Sequence, residues 1–163
     1  AYGGRCYYLH APLLVADDTI RRGLLEERSL RRSFQMMEQM SMALVGIGGT
    51  RPKASGLFRA GYLGENELEA IRSQGAVGDM CGCYFNMNGQ LCPTDMLTRT
   101  IAVSFETLRK VPLVIGVAAG LEKSQAILGA LHTGVPKVLI TDESCARAIL
   151  QLAGNREYVE LPG

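Results

Sequence analysis

A glycine and a lysine that follow an apolar run form the first candidate binding site in this sequence. Residues 113–118 are short, apolar and rich in β-branched side chains, which predicts a buried strand ending in a turn at Gly120. Lys123 then begins a helical pattern that continues to residue 131. Free backbone N–H groups at Gly120 and the ammonium group of Lys123 could together hold a phosphate or carboxylate. A plain glycine turn with a solvated lysine is the alternative.

A second glycine turn follows the apolar residues 41–45. It contains Gly46 and Gly48 in the sequence GIGG, which resembles the start of a dinucleotide-binding fingerprint. Arg-Pro-Lys follows where that fingerprint needs a helix, so we reject a dinucleotide. A turn whose N–H groups approach a small anion or a sugar remains open. The nearby cations that could contact a phosphate are Arg51, Lys53 and Arg59.

Asp79 is an acidic residue among small and apolar neighbours. It could accept hydrogen bonds from the hydroxyl groups of a polyol, or it could be a turn or capping residue. With Asp142 and Glu143 it is also a candidate general base for a sugar isomerase or deaminase, although no paired acid–base motif surrounds these residues. A Schiff base at Lys123, which needs a desolvated amine, and a purely structural or oligomerising role are further alternatives.

Composition favours a single cytoplasmic domain. The 163 residues are 47% hydrophobic with a net charge of +1, so a core can form and no global attraction to nucleic acid or acidic lipid exists. No apolar run approaches the length of a membrane span, and an odd number of cysteines, five, favours a reducing compartment. Cys81, Cys83 and Cys92 lack the spacing and the fourth ligand of a zinc site, so we expect buried thiols and neither a metal nor a cofactor.

The elements that must position these residues predict an α/β fold. Residues 113–140 read as strand, helix and strand, which forms a parallel βαβ unit with both faces of the sheet buried. Such sheets bind ligands outside the carboxyl ends of their strands, where both glycine turns lie. Arginines alternate with glutamates in the first two predicted helices, which is typical of a solvated or subunit-contacting face. Further strands are predicted at residues 5–9, 41–45, 76–80, 82–85 and 100–104, and one short strand is predicted in the tail. A hairpin turn is predicted at residues 86–89. Helices are predicted at residues 17–27, 29–40, 65–74, 105–110 and 143–154.

Four segments, taken in order, resemble one family: GIGG (46–49), GYLGENELEAIRSQGAVGDMCGCYFNMNGQ (61–90), FETLRKVPLVIGVAAGLEKSQAILGALHTG (105–134) and VLITDESCARAIL (138–150). They are similar to the effector domain of SorC/DeoR-type sugar-responsive bacterial transcription regulators. The resemblance implies that residues 1–163 form one Rossmann-like domain, a parallel sheet flanked by helices, related to the sugar-phosphate isomerase and CoA-transferase group. It also implies that the domain binds a sugar, usually phosphorylated, and does not transform it.

The resemblance also implies site residues and partners. Gly46 and Gly48 match the family's first turn. Asp79 would bind sugar hydroxyl groups, and Lys123 would bind a phosphate. Arg59 is a further effector contact, although it lies in a segment that varies in the family. Effector binding would shift a homodimer or homotetramer and so control how a separate N-terminal helix-turn-helix domain binds operator DNA. These 163 residues lack that helix-turn-helix, and they lack the family's opening strand and glycine/threonine turn, which supplies part of its phosphate site.

Overall fold

The computed structural model describes residues 3–154 and confirms an α/β fold with a parallel sheet flanked by helices. The strands are β1 (Met42–Gly46), β2 (Gly48–Gly49), β3 (Gly78–Met80), β4 (Cys83–Phe85), β5 (Leu113–Val117) and β6 (Val138–Ile140). The α-helices are α1 (Asp18–Glu26), α2 (Arg28–Met37), α3 (Gly56–Arg59), α4 (Glu65–Ser73), α5 (Met96–Arg99), α6 (Phe105–Lys110), α7 (Ser124–His132) and α8 (Glu143–Leu152). A 3-10 turn, Leu121–Lys123, directly precedes α7.

The parallel sheet has the strand order β1-β5-β6. The predicted βαβ unit is present, because β5 pairs in parallel with β6 and α7 connects them. α7 buries small and aliphatic side chains such as Ala126, Ile127 and Ala130 in the main core. Since β1 and β5 are parallel neighbours, the segments that follow Gly46 and Val117 begin at the same edge of the sheet.

One face of the parallel sheet is open to solvent, so the prediction that both faces are buried is wrong for the described residues. Ala43, Val45 and Val114 are at most 9% exposed and lie in the main core. On the opposite face, Leu44 is 70% exposed and Ile140 is 54% exposed. The sequence could not distinguish these faces, because a strand with aliphatic residues on both sides looks the same with or without a covering layer.

Three short strands form an antiparallel sheet in the order β2-β3-β4. Gly48 pairs with Asp79, so the second half of the GIGG segment is a strand and not the turn that we predicted. Glycine suits this position because a Cβ atom at Gly48 would lie 2.1 Å from Oδ1 of Asp79. The predicted strands around Asp79 are confirmed, and Cys81 and Gly82 connect them with positive φ angles of 53° and 75°. This is the geometry of a type I′ hairpin turn.

Two predicted strands do not form. Residues 5–9 adopt no regular structure, and Tyr7 and Tyr8 are 62% and 70% exposed. In residues 100–104, the structure has a single bridge, between Thr100 and Leu14. A strand requires a neighbour that pairs its backbone groups, and neither segment has one along its length.

The predicted helices are confirmed within a few residues at each end. Asp17 caps α1 by accepting a hydrogen bond from the Ile20 N–H at 2.9 Å. Gly75 follows α4 with a φ of 83°, which suits a helix C-terminus. Ser29, which we expected at the start of the second helix, lies inside α2, whose N-cap is Glu27. The predicted tail strand lies outside the described residues.

Buried side chains form two hydrophobic clusters. The larger one lies between the parallel sheet and helices α6, α7 and α8. The smaller one joins α4 to residues of α3, α5 and β4. Two adjacent residues of β4 belong to different clusters, because Phe85 lies in the larger cluster and Tyr84 lies in the smaller one. The β3–β4 hairpin therefore lies between two cores, and β1 leads into its sheet through Ile47.

Candidate functional site

A cavity of about 320 Å³ lies where β1 and β5 end and the antiparallel sheet begins. Five of the six residues predicted as effector contacts line it: Gly46, Gly48, Arg59, Asp79 and Lys123. The rest of its wall is formed by Leu13, Ile47, Gly56, Leu57, Cys81, Gly82 and Val117. The volume is near the lower end of the range for small-molecule sites, about 300–1,000 Å³.

Lys123 reaches the cavity from the 3-10 turn that precedes α7. Its side chain is half-buried, and its Nζ atom donates a hydrogen bond to the carbonyl oxygen of Ile47 at 3.1 Å. One of the three ammonium donors is used in this contact, which leaves two for other acceptors. Ile47 lies between β1 and β2, so the predicted convergence of the two glycine segments is present. We predicted that the helix begins at Lys123, but Lys123 is the N-cap of α7, which begins at Ser124.

Asp79 lies in β3, is 7% exposed and faces the cavity. Its Oδ2 atom accepts a hydrogen bond from the N–H of Gly82 at 3.3 Å, so the turn role that the sequence left open is present. Burial raises the pKa of Asp79 to about 6, and the Gly82 hydrogen bond and the charge of Lys123 oppose this rise. At neutral pH the group is therefore mainly a carboxylate, with acceptor positions left on both oxygens.

Gly120 does not line the cavity. We predicted a free N–H at this residue, but the N–H is used in a hydrogen bond. It donates to Oδ2 of Asp142 at 2.6 Å. The other carboxylate oxygen, Oδ1, accepts from the N–H of Cys145 at 2.9 Å and caps α8. These hydrogen bonds, that of Gly120 foremost, lower the pKa of Asp142. The carboxylate of Asp142 therefore accepts the hydrogen bond from the Gly120 N–H, which we had predicted would bind a ligand anion.

The other predicted cations separate in the structure. Arg59 ends α3, lines the cavity and keeps an exposed side chain. Arg51 and Lys53 are exposed and do not line it. Arg51 instead lies by a second depression, next to Ser124 and Gln151. Only one of the three candidate cations from the segment after GIGG is therefore placed to meet a ligand in this cavity.

The sequence missed Cys81 and Leu57 as residues of the cavity wall. Leu57 belongs to the smaller core and reads as an ordinary apolar residue in the sequence. Among residues 3–154, Cys81 is the one residue other than glycine that has a positive φ angle. Burial, together with the neighbouring Cys83 and Asp79, raises the pKa of its thiol to about 11, so Cys81 presents a neutral group to the cavity. A Cys-Gly pair is not one of the pairs favoured in type I′ turns, which are Asn-Gly, Asp-Gly and Gly-Gly, so the sequence did not indicate this turn or the position of the thiol.

Within residues 3–154, no three His, Cys, Asp or Glu side chains come together in a way that could hold a metal ion. Over the same residues, no helix is both long and apolar enough to cross a membrane.

Comparison with protein families assigns the chain. The model of the Sugar-bind family, described as a sugar-binding domain, matches residues 1–151. The chain belongs to the Sugar-bind family. In sequence, the Sugar-bind chain is 36% identical to the deoxyribonucleoside regulator of Bacillus subtilis, over 88% of this chain and 45% of that protein. It is 30% identical to the sorbitol operon regulator of Klebsiella pneumoniae, over 86% of this chain and 44% of that protein.

Solved structures give the same assignment for this Sugar-bind chain. A domain of a transcriptional repressor from Vibrio fischeri is 36% identical with a TM-score of 0.84, over 94% of this chain and 61% of that one. The full-length sorbitol operon regulator SorC from Klebsiella pneumoniae is 30% identical with a TM-score of 0.75, over 86% of this chain and 45% of that one.

The resemblance to SorC/DeoR-type effector domains is therefore confirmed. These relatives are transcription regulators and not enzymes, so the isomerase or deaminase alternative is not supported. The Sugar-bind chain spans about half the length of the curated relatives it matches. The relation to the sugar-phosphate isomerase and CoA-transferase group stays a prediction.

Proposed function

We propose that this Sugar-bind chain is the effector-sensing part of a transcription regulator and binds a phosphorylated sugar in the cavity. The observation that carries the proposal is the convergence of Lys123 and Asp79 on one cavity from separate parts of the chain. A sugar phosphate presents an anionic group and several hydroxyl groups, which match an ammonium group and a carboxylate. Relatives named for sorbitol, erythritol catabolism and deoxyribonucleosides support a sugar or polyol as the ligand class.

The phosphate would lie against the two cations of the cavity wall, Lys123 and Arg59. Lys123 keeps two donors beyond its bond to Ile47, and its half-buried position strengthens an ionic hydrogen bond relative to one in water. Arg59 is exposed at the cavity wall, and its planar guanidinium group suits bidentate contact with phosphate.

The sugar hydroxyls would lie against Asp79 and the glycines of the cavity wall. A buried carboxylate with one oxygen bonded to the Gly82 N–H can still accept from ligand hydroxyl groups. Gly46 and Gly48 carry no side chain, so the ligand can approach the backbone at the end of β1.

Binding would regulate the protein by population shift. A ligand that contacts both sheets favours the arrangement in which both contacts are made, and only this difference in affinity can move the equilibrium. In the whole protein, we propose that this change controls operator binding by a helix-turn-helix domain in a cytoplasmic homodimer or homotetramer.

Thermal unfolding of the protein with a panel of sugars and sugar phosphates tests the proposal. A ligand at 100 times its Kd stabilises the folded state by about 2.7 kcal/mol, which shifts the unfolding midpoint measurably. We expect a phosphorylated sugar to raise the midpoint more than its unphosphorylated parent and to be recovered unchanged. A panel without any shift would refute a sugar effector, and chemical conversion of a bound sugar would restore the enzyme alternative.

A further inference from the structure

The carboxylate of Asp142 joins the loop after β5 to the first turn of α8. Its Oδ2 atom accepts from the N–H of Gly120, at the end of the loop after β5. Its Oδ1 atom accepts from the N–H of Cys145, in the first turn of α8. The distances are 2.6 Å and 2.9 Å, so each oxygen has a close partner on a different element.

The backbone between Gly120 and Lys123 forms one hydrogen-bonded turn. Gly120 adopts φ 105° and ψ 130°, a conformation that L side chains rarely adopt, and a Cβ atom there would lie 2.6 Å from an oxygen of Glu122. Its carbonyl oxygen accepts from the N–H of Lys123 at 2.9 Å. Glycine does not restrict its own backbone, so the start of this turn depends on its hydrogen bonds. The bond to Asp142 acts on Gly120 itself, and the bond from the Ala118 N–H to the carbonyl oxygen of Ile140 lies two residues earlier.

We infer that Asp142 is a positioning residue of the effector site, which holds the Gly120 N–H and thereby fixes the turn that directs Lys123 into the cavity. This inference rests on the proposed role of Lys123 in effector binding. Asp142 does not line the cavity, so it acts through Lys123 and does not contact the ligand. The hydrogen bond from Lys123 to Ile47 is the contact that depends on this arrangement.

A helix cap without any role at the site is the competing explanation, and the chain contains a matched control for it. Asp17 caps α1 with a 2.9 Å hydrogen bond from the Ile20 N–H, and neither residue lines the cavity. Asp17→Ala therefore removes a comparable cap without touching the turn of Lys123. Asp142→Asn is a milder variant, because an NH₂ group that cannot accept replaces one of the two carboxylate oxygens. The remaining oxygen can cap α8 but does not reach the position from which Oδ2 accepts the Gly120 N–H.

The acetylation rate of each of the four lysines by acetic anhydride, measured by peptide mass spectrometry on folded protein, tests the inference. Loss of one net hydrogen bond corresponds to roughly a fivefold change in the population that exposes the amine. We expect Lys123 to react roughly fivefold faster in Asp142→Ala, with Lys137 unchanged and with Asp17→Ala like the wild type. If Asp142→Ala does not fold, Asp142→Asn gives the same comparison.

An unchanged rate at Lys123 would overturn the inference, and so would an equal increase in Asp17→Ala, which would report general loosening. Inorganic phosphate, added to the wild type, separates this result from the proposed function. Phosphate that slows acetylation of Lys123 supports an anion site there. If phosphate gives no protection while Asp142→Ala still speeds the reaction, the anion site is refuted and the structural link from Asp142 to Lys123 stands.

Discussion

Lys123 is the residue whose charge would act most directly on a phosphorylated effector. We predict that Lys123→Ala weakens binding of a sugar phosphate roughly 10- to 100-fold, because a hydrogen bond to a charged group is worth about 1.5–3 kcal/mol. The unphosphorylated parent sugar should lose much less affinity. Titration calorimetry with both ligands measures the difference.

Lys137→Ala is the matched control, since its Nζ atom donates to the carbonyl of Gly134 at an exposed position away from the cavity. It should leave both affinities unchanged. Equal weakening of the two ligands by Lys123→Ala would argue against a phosphate at this lysine.

Asp79 makes stability depend on pH in a direction opposite to that of a salt-bridged carboxylate. Burial raises its pKa from 3.8 to about 6 in the folded protein. The protonated group therefore stabilises the fold fully below about pH 4, and this contribution of about 3 kcal/mol is lost as the pH rises through 6. We predict that Asp79→Asn removes this dependence and is more stable than the wild type at pH 7, as measured by urea unfolding between pH 4 and 7.

Asn can still accept from the Gly82 N–H, so Asp79→Asn tests charge and not the turn. An Asp79→Asn variant that keeps the wild-type slope between pH 4 and 6 would show that another group titrates. The same variant should retain its fold and bind sugars more weakly above pH 6, where the wild type presents a carboxylate.

At the scale of elements, the pairing of β2 with β3 requires glycine opposite Asp79. We predict that Gly48→Ala lowers the free energy of unfolding by about 1–3 kcal/mol, because the new methyl group collides with the carboxylate. Gly46→Ala, in the same segment, should change stability much less, because nothing lies within 4 Å of its Cβ position. Chemical denaturation compares the two variants, and equal stability would mean that β2 does not pair with β3 in this register.

The parallel sheet should tolerate charge on one face of β1 and not on the other. Leu44 is 70% exposed, so we predict that Leu44→Lys changes the free energy of unfolding by no more than about 0.5 kcal/mol. Val45, the next residue, is 6% exposed in the main core, so Val45→Lys should be strongly destabilising. Denaturant unfolding distinguishes these results, and a large loss in both variants would mean that both faces are covered in solution.

The sequence predicted elements better than it predicted contacts between them. The apolar run before Gly120 was recognised, because it is a local pattern. That Asp142 would bind the N–H of Gly120 was not predictable, since the two residues meet only when β5 and β6 pair. For the same reason Gly48 read as a turn, because its partner Asp79 lies in a separate segment of the chain. Burial of Asp79, and hence its pKa, also depends on tertiary contacts.

At the scale of the whole molecule, the cavity is shared by two hydrophobic clusters. Ile47 belongs to the larger cluster and Leu57 to the smaller, and both line the cavity. Lys123 and Asp79 come from the two sheets, since Lys123 follows β5 of the parallel sheet and Asp79 lies in β3 of the antiparallel sheet. A ligand held by both side chains would therefore couple the two sheets, and its binding energy would act on their relative arrangement.

Hydrogen exchange measured by mass spectrometry tests this coupling. With a sugar phosphate present at 100 times its Kd, openings that release the ligand should become roughly 100-fold rarer. We predict slower exchange at two sites together, the β3–β4 turn at Gly82 and the 3-10 turn at Lys123, while the exposed first turn of α1 is unaffected. Protection at one site alone would mean that the ligand contacts a single sheet. Such a ligand would make no differential contact across the two sheets and could not shift their arrangement. The population-shift mechanism would then be wrong, even if sugar binding itself were established.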